Sequence, residues 1–156
     1  MIYTSERILE QIQALVTQVE TDRHDQVIDD LTQQLAHLPI PATPTLSITE
    51  CHVIHYIGSH PLTNAITLAT NLNITRGGIS KITSRLQKKE LIQSHQLEGN
   101  KKEVFYRLTP LGKTVYSLHQ DLHQAKLSTL RNILHTYTTE EQQTISRFLT
   151  DLSHHL

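Results

Sequence analysis

ITRGGISKITSRLQKKELIQSHQLEGNKKEVFYRL, residues 74–108, is the stretch whose pattern decides the fold. From about Thr75 to Lys89 the apolar residues Ile79, Ile82 and Leu86 recur at helical spacing, which predicts a helix with one buried face. The other face carries Ser80, Lys81, Ser84, Arg85 and Lys88, donors spaced one turn apart with no acidic side chain among them. Such a stripe suits a DNA major groove, where base edges and phosphates accept hydrogen bonds. Arg76 falls in the first turn, where backbone amides also favour a phosphate. Beyond the helix, Leu91 to Leu97 and Glu103 to Leu108 are extended runs separated by Glu98, Gly99, Asn100, Lys101 and Lys102, so they predict a hairpin with a basic tip.

Upstream, Ser47 or Thr49 can cap a helix carrying Val53, Ile54 and Ile57, which Gly58, Ser59 and Pro61 end. A short helix over residues 62–70 follows, with Leu62, Ile66, Leu68 and Ala69 as its apolar positions, and Thr70 to Asn73 read as a turn. Three helices and then a hairpin is the order of a winged helix-turn-helix. Farther out, Pro39, Pro41 and Pro44 break the helical pattern of the N-terminal part, where Ile8, Ile12, Leu15, Val16 and Val19, then Val27, Ile28, Leu31 and Leu35, line apolar stripes. A long helix from Pro110 runs through Val115, Leu118, Leu122, Leu127, Leu130 and Leu134, and Thr138 or Thr139 caps a last one with Ile145, Phe148, Leu149 and Leu152. The expected fold is all-α with a small β-wing. Residues 1–156 form one domain, with 46–109 as the winged helix-turn-helix unit and 1–38 and 110–156 as flanking dimerisation helices. A homodimer is expected because a palindromic DNA site needs two reading heads at fixed spacing.

Composition agrees with this organisation. The chain has 156 residues, 37% hydrophobic, 19% charged and 4% aromatic, which fits one soluble domain of ordinary size. Residues 76–113 hold nine Lys/Arg against Glu90, Glu98 and Glu103, a local charge of +6; the remainder carries −7, and together they restore the formal −1. One region is therefore built to meet a polyanion. A membrane helix needs about 18 or more consecutive apolar residues and none exists here, and MIYTSERILEQIQ lacks the features of a secretory leader, so a cytoplasmic location is expected. The single cysteine, Cys51, excludes an intramolecular disulfide and a cysteine-only zinc site. No nucleophile, phosphate loop or carboxylate pair suggests an enzyme.

Eleven histidines are the compositional oddity. His119 and His123 stand at i and i+4 in SLHQDLH, the spacing by which one helix offers two imidazoles to one zinc, although two solvated surface residues would show the same spacing. A metalloprotease is excluded, since Gln120 occupies the position of the required glutamate base.

From LSITECHVIHYI through ITRGGISKITSRLQKKELI to NKKEVFYRLTPLGK, the chain resembles the MarR family of bacterial regulators over roughly residues 46–116. That family carries an acid-x-arginine pair at the wing tip, ahead of a Leu-Thr; here Asn100 and Lys102 stand there, before Leu108 and Thr109. Lysine lacks the planar fork of arginine, and asparagine lacks the charge that would orient it. Glu90 stands where a glycine is common, and Gly77-Gly78 is unusual near a helix start. Within the family, the chain is similar to zinc-sensing repressors of zinc-uptake genes. The resemblance implies a regulatory zinc held by His52, His119, His123 and a carboxylate, best matched by Asp25 after His24, with Glu20, Asp29 and Asp30 as alternatives. A second metal site of such members is not expected, because Cys51 and Leu118 stand where it uses carboxylates. Two other regulators remain open: one released by a small aromatic ligand, and one released by oxidation of Cys51. His55, His60, His95 and His135 are read as structural or solvated.

Overall fold

The computed structural model describes residues 2–22, 25–40 and 42–155, and the side chains among them except at 2, 3, 19–22 and 25. Seven helices and a small sheet make up the described chain: α1 (Ile2–Asp22), α2 (Asp25–Ala36), α3 (Ile48–Ser59), β1 (Thr63–Asn64), α4 (Ala65–Leu72), α5 (Arg76–Lys88), β2 (Ile92–Leu97), β3 (Asn100–Leu108), α6 (Pro110–Leu134) and α7 (Thr139–Ser153). Two compact units divide it, residues 1–120 and 121–156, with the boundary inside α6.

Within residues 1–120 the core comes from every predicted element of the winged region. Val53, Ile54 and Ile57 of α3, Leu68 of α4, Ile79, Ile82 and Leu86 of α5, and Ile92 and Phe105 of the hairpin are buried, together with Leu31 and Leu35 of α2 and Val115 of α6. Each such side chain contributes about 1.5–3 kcal/mol when fully withdrawn from water. Capping fixes the helix starts. Ser47 and Glu50 form a reciprocal capping box at α3, as do Asn64 and Thr67 at α4. The short helix therefore begins at Ala65 rather than at 62, because Thr63 and Asn64 leave the helix to pair with Tyr106 and Phe105 of β3. Leu62 and Ile66, expected on its apolar face, are exposed instead. It also continues through Thr70 to Leu72, and Asn73 closes it in the left-handed region at φ 52°.

The sheet is antiparallel, in the order β1-β3-β2. Pairing continues out to Leu97 and Asn100, so only Glu98 and Gly99 form the turn, and Gly99 takes φ +81°. The expected five-residue tip is thus shorter: Asn100, Lys101 and Lys102 are the first residues of β3. Gly112 answers a close approach. A Cβ there would collide with the backbone carbonyl of Leu91 as α6 starts beneath the hairpin.

Residues 121–155 stand apart in their burial. None of them is buried, and Leu127, Leu130, Ile133, Leu134, Tyr137, Phe148 and Leu149 are exposed apolar side chains. The stripe of α1 is similar, with Ile8, Leu9, Leu15 and Val16 exposed, whereas Val19 lies outside the described side chains. No described helix is long and apolar enough to cross a membrane.

Candidate nucleic-acid interface

Helix α5 is capped by Thr75, whose hydroxyl accepts a hydrogen bond from the Gly78 amide at 3.1 Å. Ile79, Ile82, Thr83 and Leu86 are buried, and Thr83 spends its hydroxyl inside the helix on the Ile79 carbonyl at 2.9 Å. The opposite face is exposed at Arg76, Ser80, Lys81, Ser84, Arg85 and Lys88, every α5 residue expected to meet DNA. A Cβ at Gly77 would meet nothing within 4 Å, so packing within the chain does not explain that glycine.

The anchor beneath this face is set by tertiary packing. Glu50, at the third position of α3, is buried, and one of its carboxylate oxygens accepts from the Ser47 amide at 2.9 Å. Lys89 donates to both carboxylate oxygens at 2.9 and 2.8 Å and to the Thr45 carbonyl at 2.6 Å. Arg85 brings its Nε to 3.6 Å from the same carboxylate while its side chain stays 58% exposed, against 29% for Lys89. Lys89 is therefore a tether between helices. Only the capping pattern Ser47-x-x-Glu50 was visible in the sequence. That two cations 35 and 39 residues onward converge on it is a tertiary fact.

At the wing, the Asn100 side-chain oxygen accepts from the amides of Lys102 and Glu103 at 3.2 and 3.3 Å, and its amide donates to Glu103 at 3.1 Å. Asparagine thus orders the backbone that presents Lys101 and Lys102, both exposed, in place of orienting a side chain by charge.

The histidines fall in different settings. His52 is exposed on α3, and His119, on α6, is only 5% exposed. The His119 ring meets His55 edge-on with centroids 6.2 Å apart, and His55 stacks on Tyr116 at 5.5 Å. His123 follows on α6, exposed, within residues 121–156. Asp25 is the first residue of α2, but its side chain and all of His24 lie outside the described residues. Among the described residues no group of three or more His, Cys, Asp or Glu side chains is placed to hold a metal. Imidazoles with a carboxylate remain a donor set that zinc accepts. Cys51 is buried, and desolvation first, then Glu50, pushes its thiol up to about 11 against a smaller opposing effect of Lys89. A thiol held protonated and out of solvent is a poor target for oxidants.

A capped helix with a solvent-facing basic stripe, a preceding short helix and a basic two-stranded wing define a winged helix-turn-helix regulator. The chain belongs to the MarR family, whose profile matches residues 46–104. It is 36% identical over 107 residues to the HTH-type transcriptional regulator PchR of Bacillus subtilis, a match covering 69% of this chain and 63% of PchR, so the match spans less than two thirds of that relative. The transcriptional regulator ZitR of Lactococcus lactis is 32% identical over 108 residues, covering 69% of this chain and 74% of ZitR. Two solved structures of ZitR share the fold: one described as a zinc-responsive MarR family member (TM-score 0.71), the other in complex with DNA (TM-score 0.70), each at 22% identity and covering 97% of both chains. These relatives are regulators and not enzymes.

Proposed function

We propose that the protein is a sequence-specific DNA-binding transcriptional repressor that acts as a homodimer on a palindromic operator, with zinc as corepressor in the control of metal-uptake genes. The DNA part rests above all on α5, which buries one face and presents Arg76, Ser80, Lys81, Ser84, Arg85 and Lys88 on the other. Lys101 and Lys102 at the wing add cations for an adjacent phosphate or groove. The dimer is supported by the apolar stripes of α1 and of residues 127–149, in which no described side chain is fully buried within the chain. Residues 46–109 serve as the reading unit, and 1–38 and 110–156 as dimerisation helices within one functional domain.

Zinc is supported by the named property of ZitR and by a buried imidazole, His119, four residues from His123 on α6. His52, His119 and His123 are the imidazoles that would hold the ion, with Asp25 as its carboxylate. Bound zinc would supply a cross-link between helices, favouring one spacing of the two reading heads. A competitive titration of chelator-stripped protein against a colorimetric zinc chelator tests this, and one tight zinc per protomer is expected. DNA affinity should rise with zinc by about 10- to 100-fold. His119→Ala should lose that rise while folding and dimerising, with the exposed His52→Ala as its partner variant. An undiminished zinc response in both would remove these residues from the site.

An open cavity of about 480 Å3 lined in part by Tyr106, Arg107, Lys113 and Tyr116 favours a second reading, release by a small aromatic anion. Loss of DNA binding on adding benzoate to zinc-free protein would support it; unchanged binding would count against it.

A further inference from the structure

Glu50 is a buried carboxylate that no DNA contact can use, yet it faces the DNA-reading helix. We infer that Glu50 is a positioning residue for sequence recognition: it holds Arg85 from the Nε side and so aims the terminal guanidinium nitrogens at one guanine edge. This inference rests on the reading of α5 as the helix that enters the major groove.

The carboxylate is fixed before Arg85 arrives. The Ser47 amide and the Lys89 ammonium hold it at 2.8 to 2.9 Å, and its side chain is 3% exposed. Arg85 approaches at 3.6 Å, too long for a hydrogen bond but within ion-pair distance of a carboxylate that is itself buried. Nε lies 3.6 Å from the carboxylate in that contact, and the side chain remains 58% exposed. The guanidinium has five donors in a rigid plane, so engaging the Nε edge leaves the two Nη groups to point outward as a pair. That pair matches the O6 and N7 acceptors of guanine. An arginine free to rotate would lose more side-chain freedom on binding and would accept any nearby phosphate, giving affinity without discrimination. Lys89 has a different part: its amine is spent on Glu50 and on the Thr45 carbonyl, so it holds the acid in place.

The test uses the full-length protein and the duplex it selects from a random-sequence library, with every base pair of one half-site replaced in turn and affinity read by fluorescence anisotropy. Glu50→Gln keeps an acceptor oxygen for the Ser47 amide and removes the charge. It should erase about tenfold or more of the discrimination at one base pair. That base pair should be the one at which Arg85→Ala erases it, and the double variant should lose nothing further. Discrimination elsewhere and the salt slope should stay unchanged. Val115→Ala, which leaves a cavity in the same core and touches neither Glu50 nor Arg85, should keep discrimination at that base pair; this separates positioning from a general loss of stability. Discrimination left intact in Glu50→Gln, or lost equally in Val115→Ala, overturns the inference alone. A wild-type protein that discriminates at no base pair overturns the reading of α5, and the inference with it.

Discussion

Residues 46–109 and residues 121–155 are both made of well-formed elements, yet they treat their apolar residues in opposite ways. In the first, Leu46, Val53, Ile54, Leu68, Ile79, Leu86, Leu91 and Phe105 are all buried. In the second nothing is buried, although α7 has a complete capping box between Thr138 and Glu141 and α6 runs unbroken to Leu134. Caps and periodicity are local and form helices in either region. Burial needs a second surface, which the winged region finds in its own chain. The exposed stripe of Leu127, Leu130, Ile133, Leu134, Phe148 and Leu149 has the composition of a core without its other half.

The sharpest way to break this contrast is to charge the exposed stripe. Leu130→Asp with Phe148→Asp should leave residues 46–109 folded, since neither residue belongs to that core. In a dimer the same changes would bury unpaired carboxylates at a cost of several kcal/mol. Sedimentation equilibrium should therefore show association weakened at least about 100-fold, toward monomer, with far-UV circular dichroism retained. An unchanged dimer would place the interface elsewhere. A smaller effect is expected on the other side of the comparison. Gly112→Ala forces a methyl group against the Leu91 carbonyl, and such overpacking costs about 1–3 kcal/mol. Urea unfolding should register that loss; a stability equal to wild type would mean that α6 shifts freely beneath the hairpin.

Much of this architecture was legible in the sequence, for the reason the two regions share. The limits of α5, the start of α6 at Pro110 and the cap at Thr138 follow from local chemistry, so spacing and caps locate them closely. The exposed reading face of α5 was legible too, because a helix that buries Ile79, Ile82 and Leu86 must turn Ser80, Lys81, Ser84 and Arg85 outward. Non-local features were not. Strand β1 is two residues whose only signal is their partner on β3, and its formation shortened α4 at its start. Glu50 drew no reading from the sequence, because its ion pairs with Lys89 and Arg85 depend on how α3 meets α5. The proposed zinc donors come from separate helices, and one of them, Asp25, has no described side chain, so spacing within a helix can nominate His119 and His123 but cannot assemble the set.

Glu90 offers the finest test of the locally determined side. The end of α5 closes with the Leu91 amide donating to the Leu86 carbonyl and the Glu90 amide to the Gln87 carbonyl, both at 3.0 Å, which places Glu90 in the left-handed region at φ 58°. A residue with a Cβ pays about 1–2 kcal/mol there, and glycine pays none. Against this gain, glycine gives up about 0.5–1 kcal/mol through the greater freedom of the unfolded chain. The hydrogen bond from the Thr109 hydroxyl to the Glu90 carbonyl, 2.6 Å, is a backbone contact on the Glu90 side and survives the change. Glu90→Gly should therefore stabilise the protein by about 0.5–1 kcal/mol. A urea midpoint that rises at constant slope, with unaltered sedimentation, would confine the gain to the winged unit. A fall would show that the exposed Glu90 side chain contributes more than its backbone strain costs.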